Sequence, residues 1–145
     1  FVGAFPGALP VLLGWTAYSG AITSEALILF GVQFFWQFPH FWAIAWMLED
    51  DYRKAGYTLL PNYAGRTKRN AMQTIWYSLI LVLVSIYPLF IDFSTWHSLF
   101  IILPFGCYLL FRATMLYREM SIKSARSLMF ATLLYMPAVL LSYLF

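Results

Sequence analysis

The feature that most constrains this chain is the separation of its charges from its apolar residues. Long apolar stretches carry almost no ionisable side chains, and the charges gather in the connections between them. A run of roughly 20 such residues crosses the ~30 Å hydrocarbon core of a bilayer as a helix. Five runs can be read, at about Ala4–Tyr18, Glu25–Leu48, Asn70–Ile91, His97–Tyr117 and Leu128–Phe145. They are continuous rather than alternating with period two, which argues against a β-barrel. The sequence therefore predicts an all-α polytopic membrane protein of about five transmembrane helices, organised as one transmembrane domain over residues 1–145. The first run is short and carries Pro6 and Pro10, so a broken or tilted helix is expected there.

Composition excludes the other classes. Charged residues make up 10% of the chain and aromatic residues 21%. A soluble domain carries about 25% charged residues, and disordered chains are poor in aromatics. Cys107 is the single cysteine, so no disulfide framework is possible within the chain. No basic segment followed by a short apolar run and a small-residue cleavage site marks a signal peptide. The sequence begins at Phe1, as expected of a processed N-terminus or a piece of a longer chain.

The basic residues set an orientation. Arg53, Lys54, Arg66, Lys68 and Arg69 lie between the second and third runs, and Arg112, Arg118, Lys123 and Arg126 lie at or beside the connection between the fourth and fifth. The connections at 19–24 and 92–96 carry none. By the positive-inside rule the loops at 49–69 and 118–127 are cytoplasmic, and Phe145 ends on the outside. The net charge of +3 is thus a topology signal rather than a nucleic-acid footprint, which would need a basic face on a soluble domain.

The second run holds the densest polar pattern. At 100° per residue, Gln33, His40 and Asp51 project within about 40° of one another on a continuous helix, with His40 and Asp51 ~16 Å apart along the axis. A polar stripe inside a bilayer faces protein or a wet cavity. His40 is therefore either a buried histidine bonded to a neighbouring helix or a residue lining a substrate cavity. Gln33 and Gln37 suit inter-helix hydrogen bonds, and the aromatics around them suit packing or a flat or polyprenyl ligand.

The stretch Glu49-Asp50-Asp51-Tyr52-Arg53-Lys54 follows at the predicted interface. Clustered carboxylates suit Mg²⁺, which favours oxygen ligands and often bridges to substrate phosphates. Arg53 and Lys54, with Arg66, Lys68 and Arg69 further on, can hold anionic oxygens. The same residues also suit an ordinary charged helix end. Arg112 in the fourth run either snorkels to the interface or contacts an anionic group.

These residues resemble a known family. Trp36-Gln37-Phe38-Pro39-His40-Phe41-Trp42-Ala43, and then Asp51-Tyr52-Arg53-Lys54-Ala55-Gly56-Tyr57-Thr58-Leu59-Leu60-Pro61, are similar to the P-H-F and D-Y-x-x-A-G runs of the haem O synthases, which are UbiA-type intramembrane prenyltransferases. Gly7-Ala8-Leu9-Pro10-Val11-Leu12-Leu13-Gly14-Trp15-Thr16-Ala17 is similar to a third segment of that family. The resemblance is close over about Gly3–Thr67, and beyond it the hydrophobic layout alone matches.

The resemblance implies nine helices around a cavity, of which this chain matches the last five. It implies transfer of farnesyl from farnesyl diphosphate to a vinyl carbon of haem b, giving haem O, with Mg²⁺ as cofactor of the diphosphate. Haem b is then a substrate and not a resident group. Asp51 and Asp50 would serve the Mg²⁺–diphosphate site and His40 the reacting end. Lys54, Arg53, Tyr52, Arg66, Lys68, Arg69, Gln33 and Arg112 would contact substrate. The setting implied is a bacterial cytoplasmic membrane, or otherwise the mitochondrial inner membrane, with haem A synthase or terminal oxidase assembly as partners.

Two departures accompany the resemblance. Ala55 stands where a D-x-x-x-D motif would place its second carboxylate, and the family's N-x-x-x-D-x-x-x-D motif has no match in this chain. A C-terminal half with one part of a two-part metal site is expected to be inactive alone. A UbiA-type enzyme for a quinone precursor or chlorophyll-type acceptor, and a non-enzymatic membrane subunit, are the alternatives.

Overall fold

The structure, a computed structural model, describes residues 2–144. They fold as helices α1 (Ala4–Ser19), α2 (Ser24–Met47), α3 (Glu49–Lys54), α4 (Lys68–Ile86), α5 (Leu99–Glu119) and α6 (Ile122–Ser142). Short 3₁₀ turns at Tyr87–Ile91 and Trp96–Ser98 extend the end of α4 and the start of α5. Among the described residues there is no strand. Four helices, counting those extensions, are long and apolar enough to cross a membrane. The chain is an all-α membrane protein.

The first helix is short, as expected, but it is not broken at Pro10; its 16 residues span ~24 Å, less than the four membrane-length helices. Pro39 likewise sits inside α2 without ending it. The last helix starts at Ile122, six residues before the apolar run from Leu128, because Ser121 caps it. The Ser121 hydroxyl accepts from the Ser124 amide at 3.1 Å, and the Ser124 hydroxyl accepts from the Ser121 amide at 3.3 Å. Two otherwise orphaned donors are thereby satisfied, so a polar first turn stays helical.

Helix α2 is the hub, packing against α1, α4 and α6, while α5 closes the far side against α4 and α6. The core between them is built from Val32, Leu81, Ile102, Leu109, Leu116, Leu128 and Val139, all fully buried. Small residues at the crossings, Ala43, Ala71, Ala113, Ala125 and Gly106, bring the backbones close. At Gly106 a Cβ would stand 3.0 Å from Val82. The buried hydroxyls of Thr74, Ser78 and Ser85 bond carbonyls one turn back in α4, at 3.0, 2.8 and 2.8 Å. That arrangement lets polar side chains lie in an apolar core without orphaned donors.

Candidate active site

The junction of α2 and α3 shapes the site. Backbone regularity ends at Leu48 (φ −102°, ψ 12°). The carbonyls of Trp46 and Met47, which a continuing helix would offer to residues 50 and 51, accept from Arg66 Nε at 2.8 Å and from its Nη2 at 3.4 Å. Arg66 Nη1 then pairs with Asp50 Oδ2 at 3.0 Å. A side chain inserted into the backbone ladder is a recognised cause of a helix break. One guanidinium thus caps α2 and anchors α3.

This geometry redistributes the predicted residues. The projection that put Gln33, His40 and Asp51 on one stripe ends at the Leu48 break. Asp51 stands out in the open, its side chain 76% exposed, with Lys54 Nζ 3.8 Å away. Asp50 and Arg66 are taken up by each other. Arg53 lies 3.8 Å from Glu49, the member of the acidic trio given no individual role from the sequence. Glu49 is buried, and its oxygens have no hydrogen-bond partner among the described residues. Lys68 sits over the Tyr117 ring at 5.5 Å, and Arg69 is exposed on the first turn of α4.

The loop after α3 explains part of the motif. Tyr57 N–H reaches back to Tyr52 O at 2.9 Å, and Gly56 N–H to Arg53 O at 3.1 Å. This is a Schellman C-cap, which places Gly56 at φ +80°. The alanine–glycine pair of D-Y-x-x-A-G is thus a helix stop. The loop is clamped by Asn70, which sequence reasoning missed. Its side chain accepts from Asn62 N–H at 2.9 Å and donates to Asn62 O at 3.1 Å and Gly65 O at 2.6 Å. Thr67 caps α4 by accepting from the Asn70 amide, and a Thr-x-x-Asn spacing at a helix start was the available signal.

His40 does not meet Asp51. Its Nδ1 lies 2.8 Å from Thr132 Oγ1 on α6, and its ring stacks on Trp36 at 4.5 Å. The Thr132 hydroxyl also reaches Met129 O at 2.6 Å. Trp36 Nε1 donates to Thr132 O at 2.7 Å. His40 is thus buried and joins α2 to α6.

A cleft of about 390 Å³ opens on another face of α2. Its wall is Phe38, Phe41, Trp42 and Gln37, with Ala4 of α1 facing them and Tyr52 at the charged end. Gln37 Nε2 holds Ala4 O at 3.1 Å, and the amide packs so closely on Gly7 that a Cβ there would have to displace it. Of the predicted substrate contacts, Tyr52 lines this cleft. Gln33 lies a turn before Gln37 on α2, and its carbonyl accepts from Gln37. Arg112 lines a separate cavity between α5 and α6 that shares no lining residue with this one.

Among the described residues no three His, Cys, Asp or Glu side chains gather as metal ligands. Hydrated Mg²⁺ is commonly held by one or two carboxylates, with phosphate and water completing the shell. The open Asp51 fits that lesser demand.

Comparison with known proteins agrees with the motifs. Residues 1–136 match the UbiA prenyltransferase family. The chain is 43% identical over 143 residues to the protoheme IX farnesyltransferase of Cytophaga hutchinsonii, covering 99% of this chain and 50% of that protein. It is 43% identical over 148 residues to that of Flavobacterium psychrophilum, covering 99% and 49%. It is 34% identical over 142 residues to the human mitochondrial protoheme IX farnesyltransferase, covering 97% and 31%. The chain spans about half the length of these bacterial relatives. No solved structure matches it. The motifs, the helical membrane architecture and the match over nearly the whole chain lead to one conclusion: the chain belongs to the UbiA prenyltransferase family.

Proposed function

We propose that this chain forms part of an enzyme that transfers farnesyl from farnesyl diphosphate to a vinyl group of haem b, yielding haem O. The observation that carries the reading is the aromatic cleft along α2 that ends at Tyr52, beside the exposed Asp51 and Lys54. An apolar chain lies along Phe38, Phe41 and Trp42, and its diphosphate emerges at α3. Arg53, Lys54, Lys68 and Arg69 supply cations for that anion, while Arg66 holds the α2–α3 junction. His40, bonded to α6, is a positioning residue that holds the cleft face of α2 in register.

In the reaction the bond between farnesyl C1 and the diphosphate oxygen breaks, and the vinyl carbon attacks the electron-poor C1. Water adds to the resulting porphyrin side chain and loses a proton. Asp51, and Asp50 if released from Arg66, would hold Mg²⁺, whose charge stabilises the departing diphosphate. The basic loops face the cytoplasm of a bacterial inner membrane, or the equivalent side of the mitochondrial inner membrane.

The test is co-expression of this chain with the N-terminal half of the Cytophaga relative, followed by chromatography of membrane haems. Mg²⁺-dependent haem O is expected from the pair and none from the chain alone. Asp51→Asn should lower the rate roughly hundredfold, the scale of losing one electrostatic stabiliser. Full activity of Asp51→Asn, or prenylation of an aromatic acceptor in place of haem b, would overturn the reading.

A further inference from the structure

A second site lies on the far side of the bundle, along the seam between α5 and α6. Two cavities open on it. The first, about 270 Å³, sits at the basic end and is lined by Arg112, Met115 and Glu119 of α5 and Lys123, Ser124 and Ser127 of α6. The second, about 260 Å³, is a shallow groove nearer the start of α5, lined by Pro104, Phe105, Tyr108 and Leu134 and almost wholly apolar. Residues 105, 108, 112, 115 and 119 follow helical spacing along one face of α5, and 123, 127 and 134 do so along α6. Both cavities therefore border one continuous stripe, polar at one end and greasy at the other.

The cations at the polar end have no carboxylate partner among the described residues, and Arg112 also lies 5.8 Å from the Phe111 ring. Arg112 uses Nε to bond Tyr108 Oη at 3.1 Å and lies over the Tyr108 ring at 5.1 Å. Its two terminal nitrogens make no hydrogen bond among the described residues, which leaves a fork suited to phosphate. Neither Arg112, Lys123 nor Glu119 forms an ion pair among the described residues. Arg112 stands seven residues before the end of α5, ~10 Å inside it, where an unpaired charge is costly. Tyr108 lines the apolar cavity and holds Arg112, so it joins the two compartments.

We propose that this seam binds an anionic phospholipid. The phosphate lies against Arg112, Lys123 and the Ser127 hydroxyl, and an acyl chain follows the groove of Phe105, Tyr108 and Leu134. A free phosphate shares the headgroup chemistry but has no use for the apolar groove. Basic pockets between transmembrane helices are a recurrent mode of lipid headgroup binding. The inference is independent of the prenyl-transfer reading, because it uses a different face of the bundle.

The test is native mass spectrometry of the purified chain in mild detergent with equimolar phosphatidylglycerol and phosphatidylcholine. Wild type is expected to retain phosphatidylglycerol preferentially. The Arg112→Gln/Lys123→Gln double variant should lose that preference by roughly 25-fold, about fivefold per cation. Glu119→Gln should strengthen phosphatidylglycerol binding, a gain that misfolding cannot produce. Retention of phosphatidylglycerol by the double variant, or no gain in Glu119→Gln, would sink the proposal. Displacement of the lipid by millimolar inorganic phosphate would replace it with a free-anion site.

Discussion

Gly56 and Gly65 lie on either side of the same loop and both take positive φ, at +80° and +78°, yet their surroundings differ. Nothing within 4 Å would meet a Cβ at Gly56, whereas at Gly65 it would stand 2.8 Å from Glu49 Oε1. Gly56→Ala is therefore expected to cost ~1–2 kcal/mol from the left-handed backbone alone. Gly65→Ala adds the displacement of a buried carboxylate, for roughly 2–4 kcal/mol in all. Unfolding of the two variants in detergent measures the gap, and equal losses would mean that Glu49 yields freely. The glycines stand in the sequence for anyone to see, but Glu49 is no neighbour of Gly65 along the chain. The clash belongs to the fold.

At the scale of elements, the α2–α3 junction depends on one residue from a distant loop. Arg66 is bonded to Trp46 O, Met47 O and Asp50 together, with its side chain 24% exposed. Lysine carries the charge but not the planar fork, so Arg66→Lys should leave two helix-end carbonyls under-satisfied. The expected cost is ~1–3 kcal/mol. Amide exchange between residues 46 and 52 should quicken in that variant, while Asp50→Asn, which loses only an exposed pair, costs ~0.2–1 kcal/mol. Similar exchange in both variants would show that the ion pair, rather than the carbonyl capping, holds the junction. The start of α6 shows the same limit on sequence reading. Hydropathy put its first residue at Leu128, because six polar or mixed residues precede the apolar run, but a Ser–Ser capping box carries the helix back to Ile122. Capping needs only local residues, so this was legible in principle from Ser121 and Ser124.

For the whole molecule, the nine basic residues and the helix order predict one orientation. In a Cys107→Ser background, cysteines introduced by Tyr63→Cys and Arg118→Cys should react with a membrane-impermeant maleimide from one side of sealed vesicles. Asp92→Cys should react from the other. Labelling of all three from one side would refute the alternation of helices. The membrane class and the helical architecture were determined by the sequence alone. Long uncharged runs have few ways to satisfy their backbone in lipid, and a helix is the one each run can form unaided. The motif pointing to the family was equally local, since Asp51, Tyr52 and Gly56 lie within one turn and its cap. Tertiary structure alone decided which polar groups share a site. It turned His40 onto Thr132 of α6, paired Asp50 with Arg66 and set Tyr52 at the end of the α2 cleft. Helical projection carries a direction only as far as the ladder is unbroken, and Arg66, eighteen residues beyond the break at Leu48, is what interrupts it.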